Sequence, residues 1–141
     1  MNYFVIEPEV AGEIGDGSVL DTTVHPPLVS KLNYQFFGWL GDSILESFPC
    51  FIVIQDLASN LMSEFLSGVS FHDVEISISD EFRGLYPNRV IPDFCWMKVS
   101  GVACKDDFGI ALDYRLVISE RALKVLQKFC IENALVEEIN S

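Results

Sequence analysis

Basic residues are nearly missing from the first half of this chain. Of 141 residues, 21 are acidic and 9 basic, for a formal net charge of −12. Up to Glu81 there are thirteen acids (Glu7, Glu9, Glu13, Asp16, Asp21, Asp42, Glu46, Asp56, Glu64, Asp73, Glu75, Asp80 and Glu81) and a single base, Lys31. From Arg83 onward, eight acids meet eight bases. The whole net charge therefore belongs to the first half. Such a one-sided field repels nucleic acid and anionic membrane and attracts a basic partner.

Long apolar runs are also missing. The longest clean one is FPCFIVI, Phe48 to Ile54, far short of the roughly 18 residues that a membrane span needs. The opening Tyr3 to Ile6 has no basic flank and runs into Glu7-Pro8-Glu9, so it does not read as a signal peptide. The expectation is a cytoplasmic protein with neither membrane nor nucleic acid as partner. His25 and His72 are the only histidines, and neither has a Cys or His at metal-ligand spacing. His72 is expected to be a solvated strand residue. Cys50, Cys95, Cys104 and Cys130 form no C-x-x-C pair and are expected to be reduced and buried. Their even count leaves two disulfides open in an exported form. Phosphate-loop, dinucleotide-turn, nucleophile-elbow and zinc-helix motifs are absent as well.

What is there is a large apolar fraction, 50% of the residues, enough for one domain over 1–141 without staples. Tyr3 to Ile6 reads as a strand. Glu7 to Pro27 reads as a long irregular segment turning at Gly12, Gly15 and Gly17. Lys31 to Phe37 reads as a second strand, and Asp42 as the cap of a short helical turn through Glu46. Val90 to Val99 and Phe108 to Ile118 are apolar on successive residues and read as central strands.

An internal repeat organises the rest. FIVIQDLASNLMSEFL (Phe51 to Leu66) and RLVISERALKVLQKFC (Arg115 to Cys130) both read as strand then helix. At an offset of 64, Ala58, Leu61, Met62, Phe65 and Leu66 match Ala122, Val125, Leu126, Phe129 and Cys130, the spacing of amphipathic helices. Asp56 and Ser119 suit N-caps, and Glu120 suits the positive end of the second helix. Each unit returns to a strand, Phe71 to Ser79 and Ala134 to Ile139, so the repeat covers about 51–79 and 115–139. The fold class expected is α+β, one domain, with a mixed or antiparallel sheet and two main amphipathic helices from the repeated strand-helix-strand unit.

Carboxylates supply the candidate chemistry. Asp42 with Glu46, Asp80-Glu81 and Asp106-Asp107 are pairs that could hold a divalent cation or do acid–base work. Adjacent acids at loop tips are more simply solvated. Asp73, Glu75 and Ser77 alternate with Val74, Ile76 and Ile78, which puts two carboxylates on one strand face and the aliphatics inward. Arg121, Lys124 and Lys128 line a solvated helix face. Trp96 belongs in the core. Trp39, between two glycines, is a better candidate for exposure, and Tyr86 in Gly84-Leu85-Tyr86-Pro87 is similar, although packing under a loop is the simpler reading of both.

The opening YFVIEPEVAGEIG, His25-Pro26-Pro27, GWLGDSILESFPCFIV, LYPNRVIPDF, Asp107-Phe108-Gly109-Ile110 and the closing LVISERALKVLQKF and ALVEEI resemble the small immunity proteins of bacterial polymorphic toxin systems. The family they resemble is immunity protein 43, over nearly the whole chain. The resemblance implies a non-enzyme with no catalytic residue, metal or cofactor. It implies a protein that binds the C-terminal domain of a cognate toxin one-to-one in the producer's cytoplasm, in systems of the contact-dependent inhibition type. It transfers no contact residues. From charge and exposure, Asp42, Glu46, Asp73, Glu75, Asp80, Glu81 and Trp39 are expected to face a basic cleft on the toxin, and that basic cleft suggests a nuclease. An acidic binding module unrelated to toxins and a carboxylate-based, metal-dependent hydrolase are the rival readings. A homodimer through an edge strand is left open.

Overall fold

The computed structural model describes residues 2–139. The described residues form a single α+β domain of thirteen strands and three helices. The expected repeat builds its two main sheets. In the first unit, β6 (Ile44–Ser47) and β7 (Cys50–Ile54) form a hairpin, helix α1 (Gln55–Ser63) follows, and β8 (Val69–His72) returns. In the second, β11 (Phe108–Ile110) and β12 (Leu116–Ser119) are followed by α3 (Glu120–Leu126) and β13 (Leu135–Glu138). Each unit's strand and return strand flank a central antiparallel strand from elsewhere. This is β10 (Phe94–Val99) in the first sheet, order β6-β7-β10-β8, and β1 (Tyr3–Glu7) in the second, order β11-β12-β1-β13.

The pairing fixes the register of the repeat. Trp96 lies opposite Ile52 and His72, while Val5 lies opposite Val117 and Glu137. Both matches, Ile52 with Val117 and His72 with Glu137, give an offset of 65 with no insertion between them. The offset of 64 expected from the apolar positions is therefore corrected by one residue. The helix face shifts with it: α1 buries Leu57, Ala58 and Leu61, and α3 buries the matching Ala122, Leu123 and Leu126, with Val125 besides. Met62, off the buried face of α1, and Phe65, beyond its end at Ser63 with a left-handed φ of 53°, are exposed instead. Each fully buried leucine contributes about 1.5–3 kcal/mol.

Both helices and the inner faces of both sheets share one core, in which Phe51, Val53 and Met97 answer Leu116, Ile118 and Ile6. The two units also reach into each other. Beyond β1 the chain bridges from Glu9 to Leu45 of the first sheet, and beyond β10 it bridges from Val102 to Ile110 of the second. The outward face of the first sheet packs under a third layer, with Leu45, Ile52, Phe94 and Trp96 buried against Leu32, Tyr34 and Phe36. That layer is a small mixed sheet, β2-β5-β9, made of β2 (Gly12–Ile14), β5 (Asn33–Phe36) and β9 (Glu75–Ile78), with β9 parallel to β5. A separate hairpin, β3 (Val19–Asp21) with β4 (Leu28–Lys31), pairs with no other strand among the described residues.

Several local expectations change. The segment from Glu7 to Pro27 contains β2 and β3. Gly12 serves close packing rather than a turn, since a Cβ there would lie 2.2 Å from the Gln35 carbonyl oxygen. Lys31 to Phe37 divides at Leu32 between β4 and β5, and Ile44 to Ser47 is extended, not helical. Phe71 to Ser79 splits between two sheets, as β8 ends at His72 and β9 starts at Glu75. Phe108 to Ile118 is a hairpin turning at Tyr114, where φ is 69°. Before Phe94, residues 90–93 are irregular. Ser119 caps α3, its Oγ accepting from the Ala122 N–H at 3.2 Å with Glu120 in the first turn, whereas the α1 cap position falls on Ile54 and Asp56 lies inside the helix. Cys50 and Cys95 are buried, but Cys104 and Cys130 are exposed, and all four are free thiols.

Candidate functional site

The thirteen early acids separate by layer. Glu9 and Asp42 are buried and Glu46 is half-buried. Glu7 sits on β1, Asp56 in the first turn of α1 and Glu64 at its C-cap. The other seven (Glu13, Asp16, Asp21, Asp73, Glu75, Asp80 and Glu81) are all exposed on the small sheet, its neighbouring hairpin and α2 (Asp80–Leu85). Only Lys31 and Arg83 oppose them on those elements.

The local chemistry of β9 explains this arrangement. Val74, Ile76 and Ile78 pack inward on the second core, so period-two alternation sends Asp73 and Glu75 outward. Glu75 is also held by its neighbours. Its Oε1 accepts from Asn33 Nδ2 at 3.1 Å, and its Oε2 lies 3.7 Å from Lys31 Nζ, so the one base of the acidic half is spent on it. Asp80 and Glu81 occupy the first turn of α2, where Ser79 Oγ accepts from the Phe82 N–H at 3.1 Å. Negative side chains favour that end of a helix.

Asp42 is not a surface residue, which removes it from the expected contact set. It is 0% exposed, and its carboxylate accepts from the backbone N–H and the Nδ2 of Asn133, each at 2.9 Å. Asp107, expected to be solvated, is buried in the mirror role. It accepts from Ser119 Oγ at 2.6 Å and from the Ser67 N–H at 2.9 Å. Each of these acids precedes the edge strand of its own unit and clasps the helix-to-strand loop of the other. Burial works upward on the Asp107 carboxyl, but hydrogen bonds from Ser119 and Ser67 and the nearby Arg121 outweigh it and hold the group below the usual range. Glu9 folds the 38–42 loop from below, its carboxylate accepting from the N–H groups of Leu40 at 2.7 Å and Asp42 at 3.2 Å.

Glu46 is half-buried beside Phe51, and burial, then repulsion from Glu7, pushes its carboxyl up to about 7. It is poorly placed to supply negative charge to a partner. Trp39 is half-buried. Its indole N–H donates to the Asp42 carbonyl at 3.0 Å, and the Arg89 guanidinium lies over the ring, 4.9 Å from its centre. Of the seven residues expected at an interface, the structure brings Asp73, Glu75, Asp80 and Glu81 onto one exposed layer and places Trp39 at its edge.

Two features go beyond the sequence's offer of Trp39 and Tyr86 for exposure. Around Trp39, the apolar residues Phe37, Leu40, Leu85, Tyr86 and Val90 are exposed, linked through the Arg89 contact and the Ser79 N–H to Phe36 carbonyl bond. Tyr86 is thus a surface residue, with Phe82 stacked against it at 5.5 Å. On the other side, residues 24–29 of the β3–β4 hairpin arch over a cleft of about 450 Å³ floored by Cys50, Phe51, Trp96 and Met97. His25 latches the arch, 6.1 Å from Phe48 and 5.4 Å from Tyr114. Cys50 is no nucleophile there, since burial pushes its thiol up to about 12. The Pro26-Pro27 pair was the only sequence signal of a stiff crossing.

Among the described residues, no three His, Cys, Asp or Glu side chains are placed to hold a metal ion, and no helix is long and apolar enough to cross a membrane. Compared with known proteins, the chain matches no protein-family model and no curated protein.

Proposed function

We propose that the protein binds and neutralises a basic partner protein, in the manner of the immunity proteins whose sequences it resembles. The observation that carries this reading is the gathering of seven exposed acids on one outer layer. The partner is a toxin domain with a basic cleft, bound one-to-one, and a nuclease fits that description. Such an inhibitor must capture its target before the target meets substrate. Complementary charge raises association rates from about 10⁵–10⁶ M⁻¹s⁻¹ toward 10⁸–10⁹ M⁻¹s⁻¹ at low salt. The exposed apolar residues around Trp39 adjoin the acidic layer and supply the contact area that charge alone lacks, since aromatic side chains dominate the energetics of interfaces.

The test is co-expression with the product of the neighbouring upstream gene. Rescue of the host and co-purification of a one-to-one complex are expected. Asp73→Lys with Glu81→Lys should slow association about tenfold at low salt and flatten its salt dependence. These two are chosen because Glu75 is tied to Asn33 and Lys31. Association rates that ignore both substitutions remove the acidic layer from the interface.

A further inference from the structure

The β13 strand is the open edge of the second sheet, and all four of its residues are exposed. Leu135 is 69% and Val136 40% exposed. The hydrogen bond from the Ile139 N–H to the Tyr3 carbonyl, 2.9 Å, sets the phase of the ladder. Residues 139, 137 and 135 turn their backbone groups toward β1, so Val136 and Glu138 turn theirs to the free edge. The strand thus offers unpaired donors and acceptors together with Leu135 and Glu137 on one face and Val136 and Glu138 on the other.

The charges choose the occupant. Antiparallel pairing of two copies about Glu137 would set Glu137 against its own copy, and like charges directly opposite are destabilising, while pairing about Val136 would set Glu137 and Glu138 against Leu135 and Ala134 with no opposite charge gained. An incoming strand with lysine or arginine beside valine or leucine meets no such penalty and gains cross-strand pairs instead. Behind that edge, Glu7 on β1 lies opposite Leu135, and Arg115 is near enough to feel both Glu7 and Glu137, which leaves Glu138 on the other face as the carboxylate without that cation. We infer that β13 accepts an extended segment of a basic partner as a fifth strand of the second sheet. This rests on the reading that the partner is basic, and it adds a second contact across the core from the acidic layer.

The probe is a seven-residue peptide of alternating lysine and valine, followed by fluorescence anisotropy and amide hydrogen exchange. Saturable binding with slowed exchange at Val136 and Glu138 is expected. Val136→Pro removes an outward N–H and should weaken binding at least tenfold with an unchanged melting curve, since proline is tolerated where the N–H faces solvent. Glu137→Lys with Glu138→Lys should switch the preference to a glutamate–valine peptide, and decides the question alone if the proline variant does not fold. No saturable binding, or equal affinity for Val136→Pro, overturns the inference, as does a wild-type dimer that the proline substitution dissolves. Those failures leave the acidic-layer reading standing, which the rescue experiment tests separately.

Discussion

The two repeated units share a scaffold and differ in what lies outside it. In the first, Leu45, Ile52 and Trp96 face outward and are sealed by the small sheet. In the second, the matching positions hold Gly109, Val117 and Val5. The loop around Val102 and Ala103 comes close over Gly109, while β13 stays open. The acidic excess follows this difference. It is carried mostly by the added layer and its hairpin rather than by the repeated strands and helices. The charge asymmetry of the sequence is therefore an asymmetry of accessories, built on a nearly symmetric frame.

The strongest test of that symmetry is Leu61→Ala against Leu126→Ala. These residues match in the repeat and are 1% and 0% exposed. Each should cost about 3–4 kcal/mol in denaturant unfolding, because a buried leucine leaves a cavity. Costs differing by more than about 2 kcal/mol would show that the cores are not equivalent. Next come the reciprocal clasps. Asp42→Ala and Asp107→Ala should each cost about 2–3 kcal/mol by removing hydrogen bonds to a charged acceptor, with the buried Ser119 hydroxyl also left unmet in the second case.

The third comparison is one of pH. Glu46 stands where the second unit has Ile110. Its folded pKa is raised to about 7, so the folded state holds a proton that the unfolded state gives up near 4.5. Stability from this group is therefore lost as pH rises from about 4.5 to about 7. Glu46→Gln should stabilise the protein by about 1–2 kcal/mol at pH 8 and have little effect at pH 4. Melting curves across that range that stay parallel to wild type would contradict the burial argument. Asp107 has the opposite sign, since its lowered pKa gives stability that fades on acidification. The smallest effect, about 1 kcal/mol, is expected for Ser79→Ala, which uncaps α2.

The repeat, the fold class and the inward face of β9 were legible because each rests on a local period. The one-residue error in the offset arose at the helices. Met62 sits on the outward face of α1, Phe65 and Cys130 continue the helical spacing past the point where the helices end, and only strand pairing reveals the true phase. Burial of Asp42 and Asp107 was not legible, because their partners, Asn133 and Ser67, lie 91 and 40 residues away in sequence. The acidic layer was half visible: alternation announced Asp73 and Glu75, but nothing local distinguishes the solvated Asp80 from the buried Asp42.

Placing β1 at the centre of the second sheet also sets an order of events. Phe4 pairs with Ile118 and with Glu138. On a ribosome, β1 must wait for β12, more than a hundred residues later, before it has a sheet neighbour. The first unit, from β6 through β10, is contiguous and can close on its own schedule. Synthesis thus delivers the first sheet before β12 exists, so truncation ahead of Leu116 should spare that sheet while stranding β1, whereas truncation near residue 130 removes only β13 and leaves β1 paired with β12.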